Sequence, residues 1–136
     1  MPSARTRILG VQLYISGING FMHWGYNYYN TRFSYNTINP YLDTTGAYFA
    51  PSGDTFLVYP GADGNTQDSI RLKLMRDAFY DLRALKYLES LTSREYVLSL
   101  VQEGLDYDLT FSEYPKDAEY LLNLRLKVNE AIRNNK

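Results

Sequence analysis

Side chains that can stack on a ligand or hydrogen-bond to it are concentrated in the first half of this chain of 136 residues. The flat indole face of Trp24 can stack on the apolar face of a sugar ring, while the sugar hydroxyls point outward to polar side chains. Asn27 offers a donor and an acceptor that suit sugar hydroxyls or an acetamido group, and Asp54 can accept hydrogen bonds. Tyr29 shares the Asn27 side of an extended chain. Tyr59, kept extended by the proline that follows it, ends a strand-like run. These five residues are the candidate ligand contacts of the sequence.

Several of these residues also have a structural interpretation. Trp24 can pack in a core, Asn27 can bond to its own backbone in a turn, and Asp54 can hold the turn at Gly53. His23 is the sole histidine, and without cysteine or a second histidine it cannot form a typical zinc site. Alternation along an extended chain would point it away from Trp24, which predicts a packed or hydrogen-bonded role.

The carboxylates do not form a recognisable catalytic pair in the sequence. Such a pair needs two carboxyl groups about 5–10 Å apart. Asp43, Asp54 and Asp63 are isolated and lie among turn-forming residues, which favours a structural role in turns. We therefore predict no catalytic residue, no metal site and no cofactor site in this chain.

Composition excludes several classes of partner. The formal net charge is -1, so no basic field points to nucleic acid. No apolar run approaches the length of a membrane span, and the first residues lack the apolar core of a signal peptide. Cysteine is absent, so the redox compartment stays undecided. The 14 tyrosines are densest from Tyr26 to Tyr59, and this uneven placement does not suit a core that spreads them over every element.

The first half of the sequence predicts a helix followed by a short strand, which is one repeat of a parallel α/β fold. Apolar spacing favours a helix over residues 4–16, which ends at Gly17. A short apolar run follows from Gly20 to Trp24 and is typical of a buried strand. The stretch from Gly25 to Gly53 is a long loop whose many aromatic residues argue against disorder. A second strand-like run covers residues 55–59.

The back half is predicted to be helical. The clearest helix runs over residues 68–91, with Asp68 or Ser69 as its N-terminal cap. Thr92 with Glu95 forms a capping-box pattern that begins a second helix, ending near residue 103. A third amphipathic helix runs over about residues 116–133. Arg71 lies in the first turn of the long helix, where the helix dipole disfavours a cation. We therefore expect Arg71 to have a specific partner, either a carboxylate or backbone carbonyls.

Four strings resemble one protein family. GFMHWGYNYY at 20–29 resembles its pattern GFLxWxxNxW, and Asn39-Pro40 matches a downstream Asn/Asp-Pro. GDTFLVYPG at 53–61 resembles GDGxLxYPG, and SIRLKLMRD at 69–77 resembles SIRLExLRDG. The family is the C-terminal region of the glycoside hydrolase family 123 catalytic domain and its uncharacterised relatives. The resemblance covers about residues 7–91.

The resemblance implies a (β/α)8 barrel and an activity similar to that of exo-acting β-N-acetylgalactosaminidases. In such enzymes the acetamido oxygen of the substrate attacks the anomeric carbon, and an adjacent Asp–Glu pair orients that group and supplies the acid. It also implies a carbohydrate partner, such as a terminal N-acetylhexosamine, and an extracellular or periplasmic location. With such a partner, the residues predicted to contact substrate are Trp24, Asn27, Tyr29, Asp54 and Tyr59. No Asp-Glu or Glu-Asp dipeptide occurs in this sequence. Thr55, Tyr29 and Ala78 also depart from the family pattern.

The predicted fold class is therefore α/β. The chain would be the C-terminal portion of a barrel, with two short strands, a long aromatic loop and three to four helices. Residues 1–91 would form the barrel segment with an active-site wall, and residues 92–136 accessory helices packed on it as one structural unit. The unpaired edges of the strand at residues 20–24 predict pairing with the remainder of the barrel, self-association, or pairing of the two strands with each other. A non-catalytic carbohydrate-binding module and a structural or interaction domain remain alternatives.

Overall fold

A computed structural model describes residues 4–136. The helices are α1 (Ala4–Arg7), α2 (Leu9–Ile15), α3 (Ile70–Leu91), α4 (Arg94–Gln102) and α5 (Ala118–Asn134), with a 3-10 turn η1 (Arg32–Ser34); the strands are β1 (Val58–Pro60) and β2 (Thr66–Asp68). The chain divides into two compact units. We call them the helical unit, which comprises residues 4–20 together with Leu74–Lys136, and the aromatic unit, Phe21–Lys73.

The helical unit is built around apolar faces of four helices. Buried residues of α2, α3, α4 and α5 form one cluster, which includes Val11, Leu88, Val101 and Val128. A Cβ on Gly10 would lie 1.9 Å from the backbone oxygen of Ala78. Glycine is therefore what allows α2 and α3 to approach so closely. None of the described helices is long and apolar enough to cross a lipid bilayer.

The predicted helices are confirmed, with one correction at a cap. The helix predicted over residues 4–16 is interrupted at Ile8 and ends at Ile15, shortly before Gly17, whose φ is +65°. The cap of α4 is Ser93, whose Oγ accepts from Tyr96 N at 3.2 Å. The prediction that Thr92 caps this helix is wrong, because its hydroxyl donates to Leu88 O at the end of α3 instead, at 2.7 Å.

The aromatic unit holds the sheet. β1 and β2 pair antiparallel with Val58 opposite Asp68. Ahead of β1, the chain at Asn27 forms an isolated antiparallel bridge with Phe56. The second predicted strand, residues 55–59, is therefore confirmed in part, although the paired strand begins at Val58. Helices with a small two-stranded sheet are compatible with the predicted α/β class.

The first predicted strand, over residues 20–24, is wrong for this chain. These residues form no strand, and the chain bends at Trp24. Phe21 and Met22 are exposed, Met22 by 87%. An extended segment satisfies its backbone groups by pairing, and in the described part of the chain the pairing with residues 55–57 begins only at Tyr26, whose carbonyl accepts from Leu57 N at 2.7 Å. An apolar run in the sequence predicts a strand only if a neighbouring strand is present to pair with it.

Candidate functional site

A close backbone approach brings together two of the predicted contact residues. A Cβ on Gly25 would lie 2.6 Å from Thr55 O and 2.9 Å from Asp54 O. Tyr28 N donates to Thr55 O at 3.0 Å, so the two segments run side by side. Because Gly25 lacks a side chain, the two segments approach closely enough for Trp24, the preceding residue, to contact Asp54.

Trp24 and Asp54 are joined by a hydrogen bond. Trp24 Nε1 donates to Asp54 Oδ2 at 3.1 Å, which fixes the orientation of the indole ring. Trp24 remains 49% exposed, and the Asp54 side chain is also open to water. The site therefore offers an immobilised aromatic face with a carboxylate at its edge, and that carboxylate keeps acceptor capacity for a further partner.

His23 lies on the other side of the same carboxylate. Its Nε2 is 3.8 Å from Asp54 Oδ1, and its side chain is mostly buried. The opposite ring nitrogen, Nδ1, lies 3.2 Å from Gly25 N and 2.9 Å from Gly25 O. The expectation that His23 points away from Trp24 is wrong, because the bend at Trp24 breaks the alternation and both side chains converge on Asp54. The predicted hydrogen-bonded role of His23 is confirmed.

Two further aromatic rings surround Trp24. The ring centroids of Tyr28 and Phe49 lie 5.7 Å and 5.8 Å from that of Trp24, and 6.3 Å from each other. We call Trp24, Tyr28 and Phe49, with Asp54 at their edge, the Trp24 platform. Sequence reasoning missed Phe49, because nothing in its spacing ties it to a tryptophan 25 positions earlier. It also favoured the Asn27 side of the chain over the Tyr28 side.

Tyr29 and Tyr59 lie in a second aromatic cluster. Tyr29 Oη donates to Val58 O at 2.8 Å, and its ring packs edge-on to Phe56 at 5.5 Å. Burial, and then the neighbouring tyrosines, raise the pKa of Tyr29 above its ordinary value. Tyr59 packs 5.0 Å from Phe56 and 5.1 Å from Tyr41. This cluster includes a residue of β1, so four of the five predicted residues divide between two groups.

Asn27 lies between these groups in sequence. Its backbone forms the bridge with Phe56, and the residue is exposed. The segment around it alternates as predicted, since Tyr28 joins the Trp24 platform while Tyr29 joins the second cluster.

Arg71 supports the segment that carries Asp54. Its Nη2 donates to Phe56 O at 2.9 Å, and its Cζ lies 5.4 Å from the Phe56 ring centroid. The expectation of a specific partner for Arg71 is confirmed as a backbone carbonyl. Gly53, with φ of +80°, packs on the guanidinium so closely that a Cβ would lie 2.7 Å from Cζ. Arg71 therefore holds both the Gly53 turn and the chain just after Asp54.

The other acidic candidates are turn residues. Asp43 accepts from Thr45 N at 2.7 Å and from Ala47 N at 2.6 Å. Asp63 accepts from Asn65 N at 3.1 Å and from the Asn65 side chain. These hydrogen bonds hold the pKa values of Asp43 and Asp63 below the ordinary range. Both groups stay ionised near neutral pH, which does not suit a general acid.

A separate cleft of about 720 Å³ lies in the helical unit. Arg7, Asp81 and Arg125 line it, and the buried Asp81 carboxylate accepts hydrogen bonds from both arginines. None of the predicted contact residues lies in this unit. No group of three or more His, Asp or Glu side chains within residues 4–136 is placed to hold a metal ion.

Comparison with known families identifies the chain. The class of protein to which it belongs is the glycoside hydrolases. More particularly, the family described as glycoside hydrolase 123, catalytic domain, matches residues 1–88, and the chain belongs to this family. The resemblance found in the sequence strings is thereby confirmed. The match takes in the whole aromatic unit and most of α3, whereas α4 and α5 follow it. No match was found among the curated proteins.

Proposed function

We propose that this chain is the C-terminal part of a glycoside hydrolase, similar to exo-acting β-N-acetylgalactosaminidases, and that it supplies one wall of the sugar site. The observation that carries the proposal is the exposed indole of Trp24, held by its hydrogen bond to Asp54. In the (β/α)8 architecture of the proposal, side chains at the carboxyl ends of strands face the substrate. The predicted partner is a carbohydrate that ends in an N-acetylhexosamine.

The chemistry of the Trp24 platform suits a pyranose ring. An aromatic face packs against the C–H face of the sugar, and this removes apolar surface from water on both sides. Asp54 has acceptor sites beyond the one used by Trp24 Nε1, and these can take sugar hydroxyl protons. Asn27, three residues after Trp24, is also exposed and carries an amide. Tyr29 and Tyr59 stay predicted contacts, with the Tyr29 hydroxyl already donating to Val58 O.

Bond cleavage belongs to residues outside this sequence in our proposal. The family's adjacent Asp–Glu pair has no counterpart here. The contacts of Asp54 are Trp24 and His23, which suit binding and orientation of a sugar. Asp43 and Asp63 are bound to the backbone of their own turns. The role of this chain is therefore to position the substrate against a catalytic pair supplied elsewhere.

Completion of the barrel is the second part of the proposal. The segment from Ile18 to Met22 forms no strand in this chain. Its apolar side chains are exposed, Ile18 by 36% and Met22 by 87%, and clustered exposed apolar side chains favour burial against a partner. We propose that the remainder of the barrel pairs with this segment, or that copies of the chain associate through it.

A non-catalytic carbohydrate-binding module is the second candidate function. It is favoured by one observation: the Trp24 platform is open to solvent in this chain by itself. A purely structural role for the tyrosines is disfavoured, because Tyr35 and Tyr48 of the aromatic unit are 79% and 96% exposed and do not pack helices.

Replacing Trp24 by alanine tests the proposal. We expect the affinity for glycans that end in N-acetylhexosamine to fall by at least about thirty-fold, as is typical when a central aromatic contact is lost. Binding is measured on a glycan array and by calorimetry with the whole chain, and circular dichroism checks that the fold is kept. Phe111→Ala is the matched control, because Phe111 is also exposed, by 52%, and lies in the other unit.

The two candidate functions give different results in a second assay. In the longer gene product that carries the catalytic pair, Trp24→Ala should lower hydrolysis of an aryl N-acetyl-β-galactosaminide. Loss of glycan binding with unchanged hydrolysis would favour the binding module. Unchanged binding in both proteins would overturn the assignment of Trp24 to a sugar site.

A further inference from the structure

A strained turn lies next to the Trp24 platform. We call residues 31–36 the Phe33 tip. Phe33 and Ser34 both have left-handed backbone angles, with φ of +60° and +59°. Positive φ is uncommon outside glycine and is an outlier for a bulky side chain. Such strain persists only where the surroundings enforce it, and it is concentrated at functional sites.

Hydrogen bonds hold this tip in its strained form. Tyr28 Oη donates to Thr31 O at 2.8 Å and accepts from Ser34 N at 3.1 Å. Thr31 N donates to Asn36 O at 2.9 Å, and Asn36 N donates back to Thr31 Oγ1 at 3.1 Å. The turn is thus closed at its base and anchored to a residue of the platform, so its conformation is specified by the structure.

The tip displays an aromatic ring and a cation to solvent. Phe33 is 69% exposed, and Tyr35 packs edge-on to it at 5.9 Å. Arg32 Cζ lies 4.8 Å from the Phe33 ring centroid, so the cation and the aromatic ring are presented side by side. Within the described part of the chain Arg32 forms no ion pair, unlike Arg7, Arg94 and Arg125. A guanidinium without a carboxylate partner is free to bind an external anion.

We propose that the Phe33 tip is a second sugar subsite, specific for an acidic sugar unit that carries a carboxylate or a sulfate. Phe33 stacks on the ring of that sugar, and Arg32 donates paired hydrogen bonds to the acidic group. The inference rests on the proposed function, because Tyr28 connects the two subsites. Its ring belongs to the Trp24 platform and its hydroxyl holds Ser34. One glycan with neighbouring neutral and acidic units can therefore contact both.

Calorimetry on the whole chain tests this subsite with two probes. One is a disaccharide of N-acetylhexosamine and a uronic acid, and the other is its neutral analogue, in which the carboxylate is a hydroxymethyl group. We expect the acidic probe to bind more tightly. Arg32→Gln should remove this preference by weakening the acidic probe about tenfold, as expected for a hydrogen bond to a charged group. Arg133→Gln is the control for net charge and should leave the preference unchanged.

Phe33→Gly separates a binding role from a structural one. Glycine adopts positive φ without strain, so the melting temperature should stay the same or rise while the affinity for both probes falls. A loss of stability in this variant, with unchanged affinity, would show that Phe33 is a packing residue and overturn the subsite.

The two proposals fail in distinguishable ways. Equal affinity for the two probes, or equal effects of Arg32→Gln and Arg133→Gln, would overturn the acidic subsite alone if Trp24→Ala still lowers the affinity for both probes. Unchanged affinity in Trp24→Ala, with the acidic preference still dependent on Arg32, would overturn the Trp24 platform alone. Absence of binding by the wild-type chain to either probe would overturn both.

Discussion

Replacing Asp81 by alanine should destabilise the helical unit by about 3 kcal/mol, because removal of one partner of a buried ion pair leaves uncompensated charge. Asp81 is 6% exposed and accepts from Arg7 Nε at 2.7 Å and from Arg125 Nη1 at 3.0 Å. The hydrogen bond to Asp81 is also the main cause that raises the pKa of Arg7. We place the effect at the low end of the known range because the side chains of Arg7 and Arg125 are 20% and 33% exposed, so water can solvate them.

Urea denaturation followed by circular dichroism measures this change. Asp77→Ala is the matched control on the same helix, since its carboxylate is more exposed and pairs with Arg76 at 3.6 Å. We expect the control to change the free energy of unfolding by less than about 0.5 kcal/mol, as for other surface pairs. Equal effects of the two substitutions would contradict the view that Asp81 ties α3 to α1 and α5.

Replacing Gly25 by alanine should disrupt the candidate site although none of the residues predicted to contact the sugar is changed. The new Cβ would lie 2.6 Å from Thr55 O and 2.8 Å from Thr55 C. Both atoms belong to the backbone, so the two segments must separate. We expect a loss of about 1–3 kcal/mol, as for other substitutions that overpack a tight contact. The hydrogen bond from Trp24 to Asp54 should break as well, and glycan affinity should fall with it.

Gly20→Ala is the control for Gly25→Ala. No atom lies within 4 Å of a Cβ on Gly20, so this substitution should leave both stability and binding unchanged. The comparison is made by thermal unfolding and calorimetry. Retention of full glycan affinity in Gly25→Ala would show that the approach of the two segments does not position the site.

The sequence predicted the helices well because their signals are local. The apolar spacing of α3, the stop at Gly17 and the cap at Ser69, which accepts from Leu72 N at 3.3 Å, all act within a few residues. The predicted cap of α4 was wrong by one residue. Thr92 and Ser93 both carry a hydroxyl that can cap a helix, but the Thr92 hydroxyl donates to Leu88 O at the end of α3, and Ser93 therefore caps α4.

The site itself was only partly predictable. Trp24 and Asp54 were chosen for their chemistry and do meet, but their contact depends on Gly25 packing against a backbone some 30 residues later. The same contact bends the chain and turns His23 toward Asp54, which alternation along a straight strand does not foresee. The strand at residues 20–24 failed for a related reason, because pairing is decided by a neighbour and not by apolar content.

Fluorescence of the single tryptophan tests the central claim most directly. Trp24 is the only tryptophan in the chain, so selective excitation of indole reports on the Trp24 platform alone. During titration with a glycan that ends in N-acetylgalactosamine, we predict a saturable change in Trp24 emission whose midpoint agrees with the calorimetric Kd. Asp54→Asn should shift this midpoint to higher concentration. A glycan that binds by calorimetry but leaves the emission of Trp24 unchanged at saturation would contradict the account.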